Sequence, residues 1–156
     1  MHLRDMYQRP GFLLRRAHQI SAAVFDAACA ELGLTQAQYG ALVVLATEPQ
    51  IDQTRLARAL GFDKVTVLRV LRGLEERGLV LRRPSATSRK HLAIVLTPAG
   101  RGLLKRAQTP VHAAYEQLMA PLSPQQRDQF IDMLQTLTEQ LGDAAKAPFV
   151  PLATEG

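Results

Sequence analysis

Four residues near the start of one predicted helix, Lys64, Val65, Thr66 and Arg69, have types suited to reading the edge of a DNA base. Threonine and valine can touch a thymine methyl group, and arginine or lysine can bridge guanine O6 and N7. On a helix that faced only water the β-branched pair would be a poor choice, because both lose χ1 freedom there. A second group follows. Arg83, Ser88, Arg89 and Lys90 surround the polar turn cluster Pro84-Ser85-Ala86-Thr87-Ser88. An arginine carried on such a turn could enter a minor groove, where the narrow walls concentrate negative potential.

The charge distribution points the same way. The 156-residue chain has a net charge of +5 and 47% hydrophobic residues. Between Arg55 and Lys90 there are ten Lys or Arg and three acids, so this stretch carries +7 and the rest of the chain −2. A basic segment inside an otherwise near-neutral chain is an electrostatic footprint for a polyanion. Other classes are excluded or disfavoured. No run of 18 apolar residues could span a membrane. The N-terminal stretch MHLRDMYQRPGFLLRR has no apolar core followed by a small-residue cleavage site, so a cytoplasmic location is the default expectation. Cys29 is the single cysteine and the four histidines have no ligand spacing, which leaves no metal site and no intrachain disulfide. No nucleophile–base pair or phosphate loop argues for an enzyme.

The elements that must position these residues follow from periodicity and caps. Residues 1–11 read as irregular, ending at Pro10-Gly11. A helix is expected over 12–32, apolar at Leu13, Ala17, Ile20, Val24 and Ala28 and closed by Gly33. Thr35 with Gln38 forms a capping box for a helix through Ala46. Pro49-Gln50-Ile51 is a break, and Asp52 caps a short helix, 53–60, that stops at Gly61. Asp63 caps the next, which ends at Gly78. The period then changes: LVLRR (79–83) and HLAIVL (91–96) read as a hairpin. Thr97-Pro98 opens a long helix to about Ala120, with an expected kink at Pro110. Ser123-Pro124-Gln125-Gln126 opens a last helix with Phe130, Leu134, Leu137 and Leu141 on one face. The tail from 143 to 156 has two prolines and no periodicity, and reads as loose.

The two short central helices meet the packing demands of a helix-turn-helix. Ala57 is small where the second helix must cross, and Gly61 tolerates a positive φ. Val67, Val70, Leu71 and Leu74 supply the inward face. That choice leaves Lys64, Val65, Thr66 and Arg69 outward at the end that enters a major groove. The basic hairpin after it reads as a wing.

The span 12–142 resembles the MarR family of transcriptional regulators. The likeness is carried by LARALGFDKVTVLRVLRGLEERGLVLRRP and, after the wing, RKHLAIVLTPAG. It implies a mainly α fold, a winged helix-turn-helix at 49–97, and a homodimerisation region made from 12–48 and 98–142. It also implies a repressor released from a pseudo-palindromic operator by a small ligand. Family wings usually carry Asp-Arg-Arg where this chain has Ser88-Arg89-Lys90, so the acid that helps to anchor the wing arginine is absent. RPGFLLRRAHQI and GLTQAQYGAL are most similar to repressors of aromatic-acid catabolism, including the nicotinate type.

The dimer has support from the residues too. Val111, Tyr115, Leu118, Met119, Phe130, Leu134, Leu137 and Leu141 would leave a large apolar patch on a monomer. In this family the effector site lies near the first two helices. There Arg15 or Arg16 would pair with a carboxylate, and His18 or Tyr39 would bond a ring substituent. A small aromatic carboxylate, such as a hydroxynicotinate or hydroxybenzoate, is the effector expected, and no other cofactor. Two alternatives remain at this stage: a redox-responsive repressor acting through Cys29, and a winged-helix module that binds protein. The acids Asp26 and Glu31 beside Cys29 argue against the first, and the basic outward face argues against the second.

Overall fold

The computed structural model describes residues 3–153. Helices α1 (Leu3–Tyr7) and α2 (Pro10–Ala28) open the chain, and a 3-10 turn over Ala30–Leu32 leads to α3 (Gln36–Thr47). Next come strand β1 (Ile51–Asp52), the helices α4 (Gln53–Leu60) and α5 (Lys64–Glu76), and strands β2 (Val80–Pro84) and β3 (Leu92–Leu96). The long helices α6 (Pro98–Met119) and α7 (Pro124–Gln140) follow, and a 3-10 turn over Gly142–Ala144 comes last. Among the described residues no helix is long and apolar enough to cross a membrane.

Polar side chains at the expected positions start five of these helices. Thr35 and Ser123 form full capping boxes with Gln38 and Gln126. Asp52, Asp63 and Thr97 accept from the backbone amides of Arg55, Thr66 and Gly100. Each satisfies an amide that has no partner inside its helix. Helix α6 passes through Pro110 as one element. Its start lies so close to the base of the β2–β3 hairpin that a side chain on Gly100 would collide with the Leu79 carbonyl and the Leu96 side chain.

Four expectations need correction. The segment 1–11 is helical over Leu3–Tyr7, and Pro10-Gly11 begins α2 instead of ending a loop. Proline at the first helical position gives up an amide that would be unpaired anyway, and Arg9 before it is extended. The helix expected over 12–32 ends at Ala28, with a 3-10 turn filling the space before Gly33. Pro49-Gln50-Ile51 is not only a break, because Ile51 and Asp52 pair antiparallel with Ile94 and Ala93. The sheet therefore has three strands in the order β1-β3-β2. Finally, the described part of the tail, through Ala153, opens with a 3-10 turn over Gly142–Ala144 and is not loose. Val150 donates its amide to the Arg58 carbonyl at 2.9 Å, and Leu152 packs against the core.

The core sits between α3, the α4–α5 pair and the inner face of the sheet. Leu42, Ile51, Leu56, Leu71, Leu74 and Ile94 are its largest fully buried side chains. Each contributes about 1.5–3 kcal/mol of burial, which fixes α5 against the body. Helix α7 differs sharply, since none of its 17 residues is buried. Of the apolar set expected to be left exposed, Met119 is buried within the chain at 3% exposure, whereas Leu137 and Leu141 stay exposed.

Candidate nucleic-acid interface

The α4–α5 unit is built as the sequence predicts. Gly61 adopts φ 63° between the helices. Val67, Val70, Leu71 and Leu74 are buried and hold α5 by its inner face. Outward, Lys64, Val65 and Arg69 are exposed, Val65 to 74%. A valine so open to water has no packing role in this chain. Leu68, 45% exposed, lies one turn beyond Val65 and extends the same apolar strip. Sequence reading missed Leu68 because leucine at that position is equally at home in a core.

Thr66 is half-buried and occupied at home. Its amide donates to Asp63 Oδ1 at 2.7 Å. That bond is the main reason the Asp63 carboxyl sits below the usual carboxylate range, followed by a side-chain hydrogen bond from Thr66, with a smaller contribution from the Arg69 charge. Thr66 therefore braces the start of the recognition helix as well as facing outward. A depressed carboxyl pKa means that the cap is fully present above the ordinary carboxylate pKa and is lost as pH falls through the lowered value. We expect amide exchange at Thr66 to stay slow into the acid range where free carboxylates have already protonated. Asp63→Ala should lose that protection at neutral pH, and Asp63→Asn should keep most of it at every pH. Equal exchange in Asp63→Ala and the parent would remove the cap from the account.

The wing is the β2–β3 hairpin, in register from Val80↔Leu96 to Pro84↔Leu92. Its tip is braced by two serines in the absence of the usual acid. Ser85 Oγ accepts from the amides of Thr87 and Ser88, and Ser88 Oγ accepts from the amide of Lys90. Ser88 is thus half-buried and turned to the tip's own backbone, while Arg89 and Lys90 are exposed beside it.

Three of the basic residues in this region work inside the fold. Arg82 bonds Glu75 at 2.7 Å and Gln53 at 3.0 Å, which ties the wing to both helices. Arg77 forks onto the carbonyls of Gly33 and Leu32, each at 2.7 Å. Arg55 pairs with Glu48 at 3.1 Å. These commitments leave Lys64, Arg69, Arg83, Arg89 and Lys90 as the exposed cations among the sequence candidates. Arg72, also exposed, adds to that face.

The effector candidates are less gathered. Arg15 lies over the Phe12 ring, 5.1 Å from its centroid, and Arg16 reaches Gln19 at 3.4 Å. His18 is exposed, whereas Tyr39 packs its ring against Phe25 at 5.8 Å. Within one chain, then, Tyr39 meets α2 at Phe25 while the cationic residues stand on the exposed part of that helix. Cys29 is fully buried. Burial first, and then the Asp26 charge, raise its thiol pKa, which is opposite to what a reactive thiolate needs.

Comparisons with known proteins agree with this geometry. A family model described as MarR family matches residues 32–91. The chain is 35% identical over 127 residues to the HTH-type transcriptional repressor Rv2887 of Mycobacterium tuberculosis, covering 81% of this chain and 91% of that protein. The repressor CouR, solved bound to a 23-mer DNA duplex, superposes with a TM-score of 0.81 at 30% identity, over 88% of this chain and 98% of that one. BpsR of Bordetella bronchiseptica, whose DNA binding is regulated by 6-hydroxynicotinic acid, gives a TM-score of 0.81 at 25% identity, over 89% and 97%.

Proposed function

The chain belongs to the MarR family of transcriptional regulators, and from that premise we propose a homodimeric repressor that a small aromatic carboxylate releases from a pseudo-palindromic operator. It is a regulator and not an enzyme. The observation that carries the reading is the exposed start of α5, with Lys64, Val65 and Arg69 held outward by a buried inner face. Residues 49–97 form the DNA-binding region, and 12–48 with 98–142 form the dimerisation region. Lys64, Val65, Thr66 and Arg69 read the major groove. Arg83, Arg89 and Lys90 serve the wing, and Ser88 holds its tip.

The effector is proposed to bind where α2 meets α3. Arg15 or Arg16 would take its carboxylate, with His18 and Tyr39 near the ring. The named ligand of BpsR supports an aromatic acid as the class. Because Arg16 and His18 are exposed in a single chain, the partner subunit is expected to close this site. A ligand releases DNA only if it prefers the DNA-incompetent arrangement of the two subunits. A tenfold loss of operator affinity needs a preference of about 1.4 kcal/mol.

The test is a titration of the complex with DNA from upstream of its own gene, using 6-hydroxynicotinate, salicylate and 4-hydroxybenzoate. At least one acid should weaken the complex tenfold or more. His18→Ala or Arg16→Ala should abolish that response and leave ligand-free DNA affinity within about twofold. A complex that none of the three acids loosens, or variants that respond like the parent, would overturn the effector assignment. Loss of all sequence-specific DNA binding would overturn the repressor itself.

A further inference from the structure

The C-terminal segment returns to the helix-turn-helix. Pro148 and Pro151 bracket Phe149 and Val150, and a residue before proline is pushed toward extended backbone. The described residues after Ala144 form no helix or strand. An extended chain must find partners for its amides outside itself. Val150 donates its own to the Arg58 carbonyl of α4 at 2.9 Å.

That carbonyl belongs to the last turn of α4, where carbonyls have no partner inside the helix. The turn between α4 and α5 supplies only part of what they need. Phe62 donates to Ala57 at 2.9 Å, but Gly61 reaches Arg58 only at 3.3 Å. The tail therefore makes the shorter bond to Arg58 and completes the end of α4. Beside it, Phe149 covers the bare turn, since a side chain placed on Gly61 would meet its Cβ and Cδ2 at 3.8 Å. Leu152 anchors the segment by packing against the core.

The hold is light. Phe149 and Val150 stay 63% and 55% exposed, and among the described residues none after Met119 is buried. The tail is thus outside the core and can open without unfolding it. What it touches is the part of the recognition unit that the core holds least. The buried face of α5 begins only at Val67. Lys64, Val65 and Thr66 depend on the Asp63 cap and on the turn that delivers it.

We propose that Pro148–Leu152 is a positioning strap for DNA reading. It braces the α4–α5 turn from outside and so fixes how far, and at what angle, the start of α5 advances into the groove. A binding constellation works only when a supporting shell holds it to a fraction of an ångström. Attraction to phosphates is independent of sequence, so release of the strap removes base readout and leaves general DNA affinity. The inference rests on the reading that α5 reads operator bases, and adds the tail to it.

The test uses the full chain with three substitutions. Val150→Pro removes the amide donor, Leu152→Asp expels the anchor, and Leu152→Met is the volume-conserving control. In the first two, hydrogen exchange at the amides of Gly61 and Phe62 should quicken at least tenfold, while exchange at Leu71 and Leu74 stays parental. Binding to duplex from upstream of its own gene should weaken at least tenfold, and binding to an unrelated duplex of equal length by less than twofold. Leu152→Met should follow the parent throughout. The strap is overturned if either disruptive variant holds the upstream duplex at parental affinity, or if both duplexes weaken alike. It is also overturned if exchange at Leu71 and Leu74 quickens together with the turn, which would make the tail a general stabiliser. A parent that does not distinguish the two duplexes overturns the repressor reading and the strap with it, a result visible before any variant is made.

Discussion

Leu137→Glu is expected to convert the protein to a monomer and to weaken operator binding by about 10²–10⁴-fold, the gain normally contributed by linking two binding modules. The reason lies in α7. It carries Met133 and Leu137 at 61% and 46% exposure, Leu141 at 61% follows its last residue, and none of its residues is fully buried within its own chain. An isolated helix of this length is marginal in water, so its order implies a covering surface. Leu13, Leu14 and Ile20 of α2 are exposed in the same way, and a two-fold axis lets both patches meet their copies. Because Leu137 lies outside the single-chain core, glutamate there should leave the α3–α5 fold intact, which circular dichroism would check. Sedimentation should then read one chain, and footprinting should lose the paired half-sites expected about 34–36 Å apart. A Leu137→Glu protein that stays dimeric and holds its operator at parental affinity would remove α7 from the interface.

What the sequence made legible was local chemistry. The caps at Thr35, Asp52, Asp63, Thr97 and Ser123 depend on one side chain and an amide three residues away, and all five formed. The inward face of α5 depends on period alone, and Val67, Val70, Leu71 and Leu74 are buried as their spacing requires. The features that were missed depend on distant partners. Strand β1 is two residues long, too short for an alternation to register, and exists because β3 offers Ile94 and Ala93. The tail has no period, yet Leu152 finds the core and Val150 finds the Arg58 carbonyl. Arg77 and Arg82 counted toward a basic footprint, but both are spent on internal hydrogen bonds with residues 7 to 45 positions away. Net charge therefore pointed to the stretch that carries the proposed interface and overstated the number of cations free to serve it.

That distinction sets the second large effect, at Arg69. It is exposed, it makes no ion pair among the described residues, and it stands one turn inside the start of α5. Arg69→Ala should weaken specific operator binding by about 1–3 kcal/mol, or roughly 5- to 150-fold, and relax the preference at one base position in each half-site. The cap should survive, because Asp63 is held mainly by the Thr66 amide and only last by the Arg69 charge. Arg89→Ala provides the contrast. Its target is backbone or minor groove, so binding should fall similarly on all sequences, with the salt dependence reduced by about one counterion. A selection from randomised operators, run on both variants and the parent, separates the two roles. If Arg69→Ala returned the parental consensus with every position equally sharp, Arg69 would be a phosphate contact. Base reading would then fall to Lys64 and the apolar strip of Val65 and Leu68.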